Sequence, residues 1–124
     1  ILLAEDNALN QEIAQMLLTT KGARLDIVSN GQEAVDKFEA SKPGTYQLIL
    51  MDIRMPVMNG YNAAEKIRHS QHPDGADIPI IAMTADAYED DIRHCMAIGM
   101  NGHISKPINP DKLYNEIAKC CNSI

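Results

Sequence analysis

One rhythm runs through the whole chain. Short apolar runs rich in β-branched residues, at 1–4, 24–28, 48–51, 78–83 and 103–105, alternate with longer stretches whose apolar residues recur at helical spacing. A strand that is apolar throughout must be covered on both faces, and helices placed between strands provide that cover while bringing each strand back parallel to the last. The pattern therefore predicts five βα units of about 25 residues each, an α/β fold with a parallel sheet and helices on both sides.

The helical stretches carry start and stop signals. Leu9, Ile13, Met16 and Leu17 fall on one face of the first, with Asn7 placed to cap it. Asn30 and Glu33 have the spacing of a capping box ahead of Ala34, Val35 and Phe38. Asn59-Gly60 predicts a turn before a helix bearing Ala63, Ala64 and Ile67. Ile92, Cys95, Met96 and Ile98 mark a fourth helix closed by Gly99. Asn109-Pro110 opens a fifth helix, lined by Leu113, Ile117 and Cys120 or Cys121. The stretches 42–45 and 71–77 read as surface loops.

Composition narrows the function. At roughly 100–200 residues per domain, 1–124 is one domain, expected to be excised from a longer chain because it opens inside an apolar run with no initiator Met. A net charge of −6 argues against a non-specific nucleic-acid binder, which needs a basic stripe. No apolar run approaches the ~18 residues of a membrane span. With no Trp and one Phe, an aromatic-lined sugar or base-stacking surface is not expected. Cys95, Cys120 and Cys121 form neither a C-x-x-C pair nor an even set, so a disulfide scaffold or zinc site is not expected and a reducing compartment fits.

In an open parallel sheet, ligands sit beyond the carboxyl ends of the strands. Glu5 and Asp6 follow the first run, Asp52 the third, Thr84 and Ala85 the fourth, and Lys106 with Pro107 the fifth. Three carboxylates would thus meet a hydroxyl and an ammonium at one edge. Crowded carboxylates repel unless a cation joins them, and hard oxygen donors suit Mg²⁺. Cation, ammonium, hydroxyl and backbone N–H groups together stabilise a phosphoryl group in transfer, and a carboxylate can be its acceptor.

Glu5-Asp6-Asn7, the run Asp52-Ile53-Arg54-Met55-Pro56-Val57-Met58-Asn59-Gly60, Met83-Thr84-Ala85 and Lys106-Pro107 stand in an order that resembles the receiver domain of two-component phosphorelays, most of all receivers of hybrid histidine kinases. The resemblance covers essentially the whole chain. It implies a doubly wound, flavodoxin-like sheet of strand order 2-1-3-4-5. It implies that Asp52 is the phosphoacceptor. Asp6, Asp52 and the Arg54 backbone carbonyl would hold Mg²⁺, with Mn²⁺ as a substitute, and Glu5 would act through a metal-bound water. Lys106 pairs with Asp52 and then with phosphate; Thr84 and the Ala85 N–H bind the phosphate. A cis bond before Pro107 aims Lys106 inward, and Pro56 and Gly60 shape the acceptor loop. Where receivers often carry Tyr or Phe as a secondary switch, this chain has His103. Arg54 and Asp86 are expected to pair across the pocket mouth and modulate water's access.

The implied partners are a histidine kinase or histidine phosphotransfer protein, an effector domain in the same or another chain, and a second copy through the face of the fourth helix, fifth strand and fifth helix. Neither nucleic acid nor membrane is touched directly, and the location is cytoplasmic or tethered to a membrane-bound kinase. The isolated domain is a self-phosphorylating switch with slow hydrolysis rather than a multi-turnover enzyme. Three other readings fare worse. Aspartyl-phosphate phosphatases commonly carry an acid two residues past the nucleophile, where this chain has Arg54. A flavodoxin-like cofactor binder needs a phosphate loop where Glu5-Asp6 would repel phosphate. A module that never takes phosphate leaves the acceptor set unexplained. Outside the set, His69, His72 and His94 read as solvated surface, and Glu89-Asp90-Asp91 as a wet helix start that favours the dipole.

Overall fold

A computed structural model describes residues 1–84, 89–106 and 108–121. In it β1 (Leu2–Ala4), β2 (Asp26–Val28), β3 (Ile49–Asp52), β4 (Ile80–Thr84) and β5 (Gly102–Ser105) alternate with α1 (Ala8–Thr20), α2 (Gly31–Ala40), α3 (Gly60–Arg68), α4 (Glu89–Ala97) and α5 (Pro110–Cys121). The strands form one parallel sheet in the order β2-β1-β3-β4-β5. The fold is doubly wound and flavodoxin-like, as expected.

Alternation along each strand divides the core into two layers. Leu2, Ala4, Ile49, Met51, Ile80 and Ala82 face one side, where Phe38 of α2, Ala63, Ala64 and Ile67 of α3, and Cys95 of α4 cover them. Leu3, Leu50, Ile81, Met83 and Ile104 face the other, against Ala14 and Leu18 of α1 and Leu113 and Ile117 of α5. Sided burial of uniformly apolar strands is what a parallel sheet with helices on both faces requires.

Asparagine opens four of the helices. Asn7, Asn30 and Asn59 accept hydrogen bonds from the N–H groups of Asn10, Glu33 and Asn62, and Asn109 accepts from those of Asp111 and Lys112. Asn59 is thus a cap and Gly60 already helical. The reciprocal bond of the capping box lands one residue early: Glu33 Oε1 accepts from the Ser29 N–H at 3.0 Å. Gly99 closes α4 in the left-handed region, at φ 96°.

Several local expectations are corrected. On α1 the buried residues are Ala14 and Leu18, with Leu17 partly buried, whereas Leu9 and Met16 are 64% and 61% exposed. The apolar arc of α1 is wider than the sheet can cover, so one edge of it faces out. Met96 of α4 is likewise exposed. β2 lies at the sheet edge, and its Asp26 is exposed. His72 is not solvated surface: its ring stacks on Phe38 with centroids 4.4 Å apart, and its two ring nitrogens bond Ser41 and the Asp74 N–H.

Gly60 is required by close approach. A Cβ there would lie 2.2 Å from the Asp52 carbonyl oxygen and 2.9 Å from the Ile53 Cα, both backbone atoms that cannot swing aside. Gly60→Ala is therefore expected to destabilise the fold by about 2–3 kcal/mol and to displace Asp52. A urea denaturation midpoint equal to wild type would refute this.

Candidate functional site

Four of the five strands, β1, β3, β4 and β5, deliver a polar residue to the same edge. Glu5 continues the β1 ladder through its N–H to the Val28 carbonyl, at 3.1 Å. The turn into α1 then puts Asp6 in solvent while Glu5 is 1% exposed. Glu5 Oε1 accepts the Asn7 N–H at 3.2 Å, and the Gln11 side-chain amide donates to the Glu5 carbonyl. Asp52 is the last residue of β3 rather than the first beyond it, and is 3% exposed. Its Oδ1 accepts the Arg54 N–H at 3.4 Å. Thr84, the buried last residue of β4, offers its carbonyl to the Lys106 N–H at 2.8 Å.

The Lys106 ammonium bridges two carboxylates, 2.8 Å from Glu5 Oε2 and 2.9 Å from Asp52 Oδ2. The contact with Glu5 was not anticipated; the resemblance implied a partnership with Asp52 alone. Burial pushes the Asp52 carboxyl up to about 6; the bond to Lys106 opposes that rise and the charge of Glu5 adds to it. Burial alone would lower the lysine, but the two carboxylates outweigh it and hold its pKa above the ordinary value.

Carboxylate oxygens of Glu5, Asp6 and Asp52 lie within 4.8 Å of one another. With all three ionised, these groups and Lys106 carry a formal charge of −2. Closely spaced hard oxygens, an uncompensated double charge and an exposed Asp6 fit a divalent cation that keeps some of its waters.

Other expected residues fall less centrally. The Arg54 side chain is exposed. His103 is half-buried on β5, in register with Ala82. Pro56 is exposed and accepts the Met58 N–H at 2.7 Å, and the Gly60 N–H closes the loop after β3 on the Ile53 carbonyl at 2.9 Å. Ala85, Asp86 and Pro107 lie outside the described residues, and with them the expected Arg54–Asp86 pair and the cis bond. His69 and His72 belong to no metal cluster among the described residues. Two residues went unnoticed in the sequence: Gln11, which steadies the β1–α1 turn, and Val57, which occupies the left-handed region at φ 67°. A cavity of about 610 Å³ opens at the opposite, N-terminal end of the sheet, beside Asp26 and Tyr46, away from the acidic cluster.

A doubly wound sheet with an acid–lysine cluster at the carboxyl ends of β1, β3 and β5 defines a class of phosphate-handling α/β switch. The chain belongs to the response regulator receiver domain family, whose model matches residues 1–118. It is 40% identical over 119 residues to hybrid signal transduction histidine kinase I of Dictyostelium discoideum and 38% identical over 124 residues to the osmosensing histidine protein kinase SLN1 of Saccharomyces cerevisiae. Those matches take in 94% and 98% of this chain but span only 7% and 10% of the relatives. Among solved structures, the receiver domain of sensor histidine kinase PA1611 from Pseudomonas aeruginosa, with a magnesium ion coordinated in its active-site cleft, superposes with a TM-score of 0.86 at 37% identity, covering 98% of this chain and 96% of that one. The receiver of Ssk1 from S. cerevisiae, solved with the histidine phosphotransfer protein Ypd1, gives a TM-score of 0.83 at 32% identity over 98% and 87% of the two chains. The chain is thus a receiver domain of phosphorelay signalling. No described helix is long and apolar enough to cross a membrane.

Proposed function

We propose that Asp52 accepts a phosphoryl group from a phosphohistidine on a histidine kinase or a histidine phosphotransfer protein. One observation carries this reading: a buried carboxylate at a strand end lies 2.9 Å from a lysine ammonium and beside two further acids. An Asp52 oxygen bonds to phosphorus as the P–N bond breaks, and the electron pair returns to the imidazole nitrogen, which is then protonated. Asp6, Asp52 and the Arg54 carbonyl would hold Mg²⁺, with Glu5 behind a bound water; the ion, when present, neutralises charge on the transferring oxygens. Lys106 then moves its ammonium from the carboxylates to a phosphate oxygen, and the Thr84 hydroxyl supplies a second contact.

The product, an acyl phosphate on Asp52, shifts the face of α4, β5 and α5 between two arrangements, with His103 as the half-buried residue on β5 that responds. The domain turns over only by slow hydrolysis, and a histidine kinase is the parent chain that the relatives' names support. The phosphatase reading loses further ground, because Arg54 brings only a backbone N–H to Asp52 and its side chain faces solvent. Incubation with Mg²⁺ and acetyl phosphate, followed by intact-mass measurement, is expected to show a single phosphate adduct that is absent in Asp52→Asn. Labelling of that variant at the wild-type rate would overturn the assignment.

A further inference from the structure

The turn that carries Asp6 is held largely by one residue of α1. The β1–β2 ladder ends at Glu5, whose N–H bonds the Val28 carbonyl at 3.1 Å. The Glu5 carbonyl accepts the side-chain amide of Gln11 instead of a strand partner. Only the nitrogen end of that amide can bond a carbonyl oxygen, so the contact fixes which way the group points. Gln11 also uses its backbone N–H, which bonds the Asn7 carbonyl at 3.0 Å as α1 begins. The half-buried Gln11 thus holds the carbonyls of the residues on both sides of Asp6. The peptide that follows Asp6 is held in turn by Glu5, whose Oε1 accepts the Asn7 N–H at 3.2 Å.

The two backbone rotations of Asp6 are the angles between the rigid peptide planes that flank it. Gln11 holds one plane and Glu5 the other, so the backbone of Asp6 is restrained although the residue itself is exposed. The restraint has electrostatic work to do. Carboxylate oxygens of Glu5, Asp6 and Asp52 lie within 4.8 Å of one another, and the Lys106 ammonium bridges Glu5 and Asp52. Repulsion from those two acids drives the exposed Asp6 outward. A turn free to yield would have to be ordered again whenever a cation binds. Fixing one residue's backbone costs about as much as a tenfold change in affinity.

We propose that Gln11 is a positioning residue for the divalent cation: by holding the Glu5 carbonyl, its carboxamide keeps Asp6 in place to ligate Mg²⁺. This rests on Asp6 and Asp52 being the side chains that hold the ion. Gln11 acts only through the backbone of the turn and takes no part in the phosphoryl transfer itself. Its removal should therefore weaken the cation and leave the chemistry of the loaded site alone.

Gln11→Met keeps the length of the side chain and its preference for helix but has no donor; Gln11→Ala removes the side chain. Mg²⁺ binding is to be measured by isothermal titration calorimetry at pH 7.5, and labelling by acetyl phosphate across a series of Mg²⁺ concentrations. Both variants are expected to bind Mg²⁺ about tenfold more weakly, a change of about 1.4 kcal/mol. The Mg²⁺ concentration for half-maximal labelling should rise by the same factor, while the rate at saturating Mg²⁺ changes less than about twofold. In chelator, the Asn7 amide should exchange with solvent faster in both variants than in wild type. Gln15→Met, at an exposed position one turn further along α1, should match wild type throughout. Wild-type Mg²⁺ affinity in either variant would overturn the proposal, even with a lower Tm in chelator, which would leave Gln11 a structural role alone. Equal slowing at limiting and saturating Mg²⁺ would overturn it too. A wild-type chain that binds no Mg²⁺ would instead strike the metal site, and the role of Gln11 with it.

Discussion

Lys106→Met is expected to slow labelling of Asp52 by acetyl phosphate and Mg²⁺ at least about 10²-fold, and to destabilise the metal-free domain by about 3 kcal/mol at pH 7.5. The kinetic loss follows from removing a fixed positive charge that would face the transferring oxygens. The loss of stability has a separate origin. The ammonium is the cation shared by two buried carboxylates, Glu5 and Asp52. Without it they face each other in a poorly solvated pocket, and removing one partner of a buried ion pair costs far more than the pair itself contributes.

The pH dependence distinguishes this charge effect from lost packing. Asp52 already has a folded pKa of about 6 against 3.8 for the free side chain, burial being the largest cause. In the variant, burial and the charge of Glu5 act without the opposing lysine and push the carboxyl higher. An acid whose folded pKa is raised lends stability that is complete below its unfolded pKa and lost as pH rises through the folded one. Wild type thus loses this contribution around pH 6, and the variant loses a larger one at higher pH. The gap between them should narrow at pH 4, where Asp52 is protonated in the fold, and be widest above pH 7. Mg²⁺ should narrow it by restoring positive charge to the same oxygens. Urea titrations at pH 4 and 8 that gave the same deficit would assign Lys106 a packing role instead.

How far the sequence foretold this site depended on where each residue's constraint came from. Asn7, Asn30 and Asn109 were legible as caps because a cap is a local event within four residues. The strand-end acids were legible because parallel topology alone brings them to one edge. The face of α1 was not: Leu9, Ile13, Met16 and Leu17 satisfy the helical period, but which part of a wide apolar arc meets the sheet depends on the packing of α5 beside it. Tyr114 of α5 bonds the Leu17 carbonyl, and Lys21 lies over its ring. The bridge from Lys106 to Glu5 was hidden because it depends on side-chain reach across β1, β3 and β5, which no spacing encodes. Val57 was hidden for the opposite reason. Local preference argues against valine in a left-handed turn, so only the loop's tertiary bonds reveal it.

Asp52→Asn should be more stable than wild type without metal and less stable with it. A rise in folded pKa from 3.8 to about 6 corresponds to about 3 kcal/mol by which the fold disfavours the ionised carboxylate. That cost already includes the contact with Lys106; the neutral amide avoids it but is an imperfect stand-in for the protonated acid, so the net gain at pH 7.5 is about 1–2 kcal/mol. At pH 4, with the wild-type carboxyl protonated in the fold, the advantage should largely vanish. Magnesium reverses the order. A ligand that binds only the folded state stabilises it by about 2.7 kcal/mol at a hundred times its Kd, and the variant lacks one of the two carboxylates, Asp6 and Asp52, proposed to hold the ion directly. The two melting curves should therefore exchange places as Mg²⁺ is added at pH 7.5. A variant that melts below wild type in chelator would show that Asp52 is not strained by its charge, and one that gains as much from Mg²⁺ would show that Asp52 is not a ligand. The crossing would identify the acidic edge as a place where the chain gives up stability in the empty state to keep a charged acceptor ready for its cation and its phosphoryl group.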